Sequence, residues 1–239
     1  MRVLAIDSAT LTIGVALLDG DRVIAVARHD AKGRTNDLLV TIDRLCREAG
    51  VAPTALDAVA IGAGPGSFTG LRIGMATAKG IAFAAGKPLW AVSSLAALAH
   101  DAATEHANQQ TLPYLDGVII SVLDARKGEV YVGCFDGTAH PLSEERVLAP
   151  GAVADFVRGV VGDRLASYVG DGITAYPAVF APLAETWFVT TPSGVAVARL
   201  ALAGARVDVT TGGAPTYIRP SEAEVKYPDG VPGALARKP

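Results

Sequence analysis

Cysteine, histidine and aromatic residues are all scarce in this 239-residue chain, which carries two cysteines, four histidines and 6% Phe, Trp and Tyr. Cys46 and Cys134 lie far apart in apolar surroundings. Two reduced, buried thiols is the plainest reading, with a disulfide or a reactive thiol as alternatives. Among His29, His100, His106 and His140 no pair falls at i, i+4, and neither HExxH nor CxxC occurs. A metal site of ordinary ligand spacing is therefore not expected. No serine sits in a GxSxG elbow either, so no nucleophile is placed by sequence.

Strong charge is also missing. The formal net charge of −3 gives no general attraction to nucleic acid or anionic membrane and leaves room only for a local basic patch. Long apolar runs are absent: the most apolar stretch, about 81–100, is interrupted by Lys87 and Pro88, so no membrane span is expected. The opening residues MRVLAIDSAT lack a basic-then-apolar leader pattern, and a cytoplasmic protein is the expectation.

Half of the residues are hydrophobic, with Ala and Val prominent, which suits small-residue helices packed on sheets. Residues 2–7 form an apolar run ending in Asp7. IGVALLDG and RVIAVARHD read as two further strands joined at the Asp19-Gly20-Asp21 turn. Residues 36–49 place Leu38, Leu39, Ile42, Leu45 and Cys46 at helical spacing, with Asn36 as N-cap and Gly50 as stop. DAVAIGAGPG reads as a buried strand entering a glycine-rich turn, 69–86 as a second helix, and PLWAVSSLAALAHDAATEHA as a strand and a third helix.

Near residue 117 the pattern restarts. DGVIISVLDARKGEVYVGCFDG again gives strand, Asp, turn, strand and Asp-Gly. At an offset of 117 residues Asp7 falls on Asp124, Val15 on Val132, Asp19 on Asp136 and Gly20 on Gly137. So long a period implies two related domains rather than a solenoid. GAVADFVRGVV and GVAVARLALAGA read as helices, and ASYVGDGI and TWFVTT as strands. The tail after about 222 reads as mobile or draped on the surface.

The sharpest motif is GAGPGSFTGLRIG, residues 62–74. Its glycines allow close backbone approach, and Ser67 or Thr69 can cap the following helix. Such a helix end attracts anions, although the spacing fits neither a Walker A loop nor GxGxxG. Phosphate binding and a purely structural turn both remain open. Beyond it, Gly70, Gly74, Ala78, Ala82 and Gly86 give one helix face small residues throughout. That face fits either close packing on the domain's own sheet or a helix from another chain. Asp7 and Asp124 end apolar strands, where a carboxylate faces a cleft or caps a turn. Arg126 and Lys127 in DARKGEVY stand as a solvated charged turn beside an acid.

Taken in order, LAIDSAT, GAGPGSFTGLRIG, DARKGEVY, VGDG and PTYIRP, spanning residue 3 to about 220, closely resemble the bacterial TsaB (YeaZ) family. The resemblance implies a duplicated actin-like α/β fold of the sugar kinase and heat-shock ATPase kind, with two mixed sheets flanked by helices. The expected domains are an N-terminal lobe at 1–107, a smaller C-terminal lobe at 108–221 whose last helix packs back on the first, and a tail at 222–239. It implies a non-catalytic subunit of the complex that transfers threonylcarbamoyl to N6 of an adenosine beside the tRNA anticodon. TsaD and the ATPase TsaE are the implied partners, with a homodimer when the chain is alone, and tRNA is reached only through the complex. No cofactor is expected to bind tightly, ATP or ADP belonging to the TsaD or TsaE side.

The metal-binding HxxxH of the catalytic paralogue TsaD corresponds here to Ser94 and Leu98. Arg34 stands where many relatives have His, which leaves that position without a role. Asp7, Ser8, Gly64, Gly66, Ser67 and Asp124 are the candidate nucleotide or phosphate cleft. Leu38, Leu39, Ile42, Leu45, Gly70, Arg72, Gly74, Ala78 and Ala82 are the candidate partner interface. A small-molecule kinase or ATPase using Asp7 and Asp124 around Mg-ATP is the rival reading.

Overall fold

The computed structural model describes residues 1–30, 37–109, 117–181 and 191–219. Strands β1 (Arg2–Asp7), β2 (Thr12–Asp19) and β3 (Arg22–Asp30) form an antiparallel meander. Helix α1 (Asp37–Glu48), strand β4 (Ala58–Gly62), helix α2 (Phe68–Ala85), strand β5 (Leu89–Val92) and helix α3 (Ser94–Gln109) complete the first lobe. The second lobe runs through β6 (Val118–Arg126), β7 (Glu129–Asp136), β8 (Arg146–Leu148), α4 (Val153–Val161), β9 (Ala166–Val169), α5 (Asp171–Ala175) and α6 (Pro177–Phe180). Helix α7 (Gly194–Leu202) and strand β10 (Val207–Asp208) return to the first lobe.

Two sheets result, ordered β10-β5-β4-β1-β2-β3 and β8-β7-β6-β9. In each, a central strand pairs antiparallel with its successor and parallel with a strand reached through helix: β1 with β2 and β4, β6 with β7 and β9. The 117-residue offset carries β2 onto β7 end to end. This is the duplicated actin-like fold.

Strand alternation builds the layers. Leu4, Ile6, Val15, Leu17, Val59 and Ile61 face α1 and α2, while Val3, Ala5, Ala16, Leu18, Ala58 and Ala60 face α7 and α3. Both faces of the sheet are covered, so its strands read as continuous apolar runs. Alanines on the α7 side let that helix sit very near the sheet: a Cβ at Gly194 would lie 2.6 Å from the Ala16 nitrogen. Between the sheets, Leu95, Leu98 and Ala99 of α3 pack on Ile119, Leu123, Tyr131 and Phe135. The outer face of the smaller sheet is covered by α4, α5 and α6.

Most strands and helices read from sequence recur where described, with ends shifted by one to three residues, but ASYVGDGI is a strand only over Ala166–Val169 and turns into helix α5 from Asp171. TWFVTT lies almost wholly, and Asn36, Arg34 and the tail entirely, outside the described residues. The short strands β8 and β10 had no readable signal, because two or three residues cannot display a period.

The interface expectation needs correction. Leu38, Ile42, Leu45, Gly74, Ala78 and Ala82 are buried against the chain's own core, so the small-residue face of α2 is not free for another chain. Gly70 and Gly74 press on Ser8, where an added Cβ would overlap the Ser8 carbonyl oxygen and hydroxyl respectively. Leu39 and Arg72 remain exposed. Placing Trp at Ala78 would therefore break the fold before it could test a partner.

Two glycines of α2 separate the effects. Gly80 is exposed with nothing near its missing Cβ, so Gly80→Ala should stabilise by about 0.5–1 kcal/mol. Gly70 faces rigid backbone, and Gly70→Ala should destabilise by about 1–3 kcal/mol. Denaturant unfolding of both variants checks the pair, and equal effects would contradict the packing described.

Candidate functional site

Asp7 is a fully buried acid among the described residues. At the end of β1, one of its carboxylate oxygens accepts the Ala9 N–H at 2.9 Å and the other accepts the Ser94 hydroxyl at 2.7 Å. Ser94 in turn accepts the Gly64 N–H at 3.3 Å, and its own N–H donates to the Gly64 carbonyl at 2.9 Å. A Cβ at Gly62 would overlap Asp7 itself. Burial raises the Asp7 pKa to about 7, opposed by the Ala9 and Ser94 hydrogen bonds and reinforced by Asp101. The acid is thus tied into a knot joining β1, the glycine loop and α3.

The glycine loop lies on that knot. The Ser67 N–H donates to the Ala9 carbonyl at 2.7 Å, and a Cβ at Gly66 would come within 2.5 Å of the Ala9 side chain. The Ser67 hydroxyl caps α2 by accepting the Gly70 N–H at 3.3 Å.

A cleft of about 570 Å³ opens between the lobes. Ser67, Phe68 and Arg72 of the first lobe face Asp124, Arg126 and Lys127 of the second across it. Asp124 accepts the Arg126 N–H at 2.8 Å and pairs with its guanidinium at 3.0 Å. The Asp124 N–H donates to Asp171 at 2.9 Å. Burial, with Asp124 nearby, raises the Asp171 pKa to about 6. Arg126 and Lys127 take left-handed backbone, φ 63° and 56°, which places these two cations at the tip of the β6–β7 hairpin.

Thr216, Tyr217 and Arg219 wall the cleft, on a segment tied down along its length. Lys79 donates to the Gly213 carbonyl, and the Thr216 N–H donates to the Ala63 carbonyl at 2.7 Å. The Tyr217 ring lies 5.1 Å from Phe68, with its hydroxyl accepting from Arg72 Nε at 3.2 Å. Arg219 reaches the second lobe, bonding the Ala125 carbonyl at 2.8 Å and Glu129 at 3.3 Å.

Of the proposed cleft residues, the structure gathers Gly66, Ser67 and Asp124 at the cleft. Asp7, Ser8 and Gly64 are buried beneath it and do not line it, because the glycine loop packs on the turn after β1. Asp171, Phe68, Tyr217 and Arg219 were missed, although VGDG and PTYIRP contain three of them. Among the described residues no group of three or more His, Cys, Asp and Glu could hold a metal.

The family model described as "TsaD: tRNA N6-adenosine threonylcarbamoyltransferase" matches residues 28–225. The tRNA threonylcarbamoyladenosine biosynthesis protein TsaB of Escherichia coli is 33% identical over 74% of this chain and 74% of its own length. The chain belongs to the TsaB family. TsaB of Bacillus subtilis is 38% identical over 56% of this chain, a match spanning about half, 55%, of that relative. The solved YeaZ of Pseudomonas aeruginosa superposes with TM-score 0.71 at 30% identity, covering 90% of this chain and 99% of that one. In this TsaB-family chain Ser94 hydrogen-bonds the buried Asp7, and Leu98 is fully buried in the interlobe core.

Asp7 makes stability depend on pH. Its folded pKa of about 7 lies above the unfolded value of 3.8, so the native state binds the extra proton between them. Its stabilising contribution is complete below about pH 4 and is lost as pH rises through 7. Asp101 and Asp171, each raised to about 6, act with the same sign. Asp7→Asn should flatten the fall in unfolding free energy between pH 4 and 7, with the variant gaining on wild type by a few kcal/mol as pH rises. Parallel curves for the two proteins would refute the burial of a titrating Asp7.

Proposed function

We propose that the chain is the partner subunit, not the catalyst, of a tRNA threonylcarbamoyladenosine-forming assembly. The 33% identity to E. coli TsaB over three quarters of both chains carries this reading. The state of Asp7 supports the non-catalytic half of it. In the rival kinase reading this strand-end acid would face Mg-ATP, but here it is fully buried and bonded to Ala9 and Ser94. Any ATP or ADP is assigned to the TsaD or TsaE side of the assembly. The described residues include no helix long and apolar enough to cross a membrane, and we place the assembly in the cytoplasm.

Docking is assigned to the outer surface of α1 and α2. Leu39 and Val40 on α1 and Phe83 on α2 are exposed, Phe83 to 91%. Leu39 and Val40 line a mostly apolar groove of about 690 Å³ whose walls also include Cys46, Val51, Pro53 and Ile81, and Phe83 stands on the solvent side of α2, outside that groove. Exposed apolar side chains on two neighbouring helices, with a groove beside one of them, mark an interaction surface. The TsaD paralogue occupies it in the assembly, TsaE joins the pair, and a second copy of the chain takes the surface when TsaD is absent.

Phe83→Glu tests the assignment without touching the core. Melting should stay within about 0.5 kcal/mol of wild type, while association with TsaD weakens at least about tenfold. Threonylcarbamoyladenosine formation in a reconstituted reaction should fall with it. Unchanged association would place the docking surface elsewhere, and full modification with this chain omitted would reject the function.

A further inference from the structure

We propose that the interlobe cleft receives an unpaired nucleotide of RNA, so that this chain touches the tRNA directly; the proposal rests on the tRNA-modification reading above. Three features of one concavity carry it. The first is apolar surface left in water: Leu11, Phe68 and Tyr217 all line the cleft and stay 44%, 37% and 40% exposed. The aromatic pair, with the Arg72 guanidinium 3.9 Å over the Phe68 ring, forms a platform on which a base stacks irrespective of its identity. The second is charge. Arg72, Arg126, Lys127 and Arg219 line the same cleft against the carboxylates of Asp124 and Asp171, a local positive excess in a chain of net charge −3.

The third is size, since about 570 Å³ admits a ligand of one flipped-out nucleotide but not a helix. A free nucleoside polyphosphate fits less well. Its dense negative charge needs a divalent ion or a strong cationic cradle, yet Asp7 is buried out of reach and Asp124 and Asp171 would repel it. A phosphodiester brings a single charge per nucleotide. Arg126 and Lys127, exposed at the hairpin tip, suit a backbone passing over the rim while one base turns inward.

The test uses the full chain and fluorescence anisotropy at low salt. The probe is an RNA hairpin with an unpaired adenosine-containing loop; competitors are a fully paired RNA of equal length, AMP and Mg-ATP. The hairpin should bind, and the competitors should displace it poorly. Tyr217→Ala should weaken binding about tenfold through lost stacking, with the salt dependence unchanged. Lys127→Glu should weaken it and also reduce the slope of log affinity against log salt by about 0.7. In the reconstituted modification reaction, Lys127→Glu should raise KM for tRNA and leave kcat in place, a readout that decides the matter should the lone chain bind too weakly to measure. Melting curves of both variants identify any loss of fold, and Lys127→Glu on the exposed tip keeps the test valid if Tyr217→Ala unfolds.

RNA affinity and KM blind to Lys127→Glu would overturn the proposal, as would displacement of the hairpin by AMP or Mg-ATP at equal concentration. If modification requires the chain but ignores both variants, direct RNA contact fails while the partner-subunit reading stands. If modification proceeds without the chain, that reading itself fails.

Discussion

The close seating of the glycine loop and α2 on the turn after β1 governs the rest of the molecule. Added Cβ atoms at Gly62, Gly70 and Gly74 would overlap Asp7 or Ser8, and one at Gly66 would crowd Ala9. Four glycines are therefore demanded by a single turn, and the glycine cost within a helix is offset by this contact. The same seating buries Asp7, brings Ser94 of α3 onto it and moves the surface open to ligands outward, to the far side of Ser67. What remains accessible is the cleft between the lobes, lined by Arg72, Arg126, Lys127 and Arg219.

Duplication supplies the contrast that makes this meaningful. Asp7 ends β1 and Asp124 stands two residues before the end of the equivalent β6, and both accept the N–H two residues on. Asp7 then disappears under a loop, whereas Asp124 stays at the cleft with Arg126, Tyr176 and Asp171 around it. The same kind of turn is a structural knot in the first lobe and part of a lined surface in the second. The chain segment after α7 joins the two, through Thr216 on the glycine loop and Arg219 on the β6–β7 hairpin.

Much of the fold was legible because it is periodic or punctuated: the Asp-Gly turns, the amphipathic α1 and the offset relating β2 to β7 could be read from residue spacing. The orientation of the small-residue face of α2 could not. Gly70, Gly74, Ala78 and Ala82 would look the same against a sheet or a foreign helix, and only the position of Ser8 decides for the sheet. Burial of Asp7 was equally hidden, since the strand end at Gly62 that packs on it and Ser94, which bonds it from 87 residues away, are brought there only by the tertiary fold. The residues of the cleft come from five separate stretches, and Tyr217 and Arg219 carried no spacing that linked them to Phe68 or Glu129. Family resemblance marked those stretches as significant, but the contacts that explain them are tertiary.

Asp7 is a structural acid, buried out of a nucleotide's reach. Calorimetric titration of Mg-ATP into the isolated full-length chain tests this most directly, with Asp7→Asn in parallel. The structure predicts no saturable, magnesium-dependent binding by either protein up to about millimolar ATP, the range of weak association near 4 kcal/mol. Magnesium-dependent binding in the low micromolar range, abolished by Asp7→Asn, would contradict it and return the chain to the nucleotide-using members of its fold.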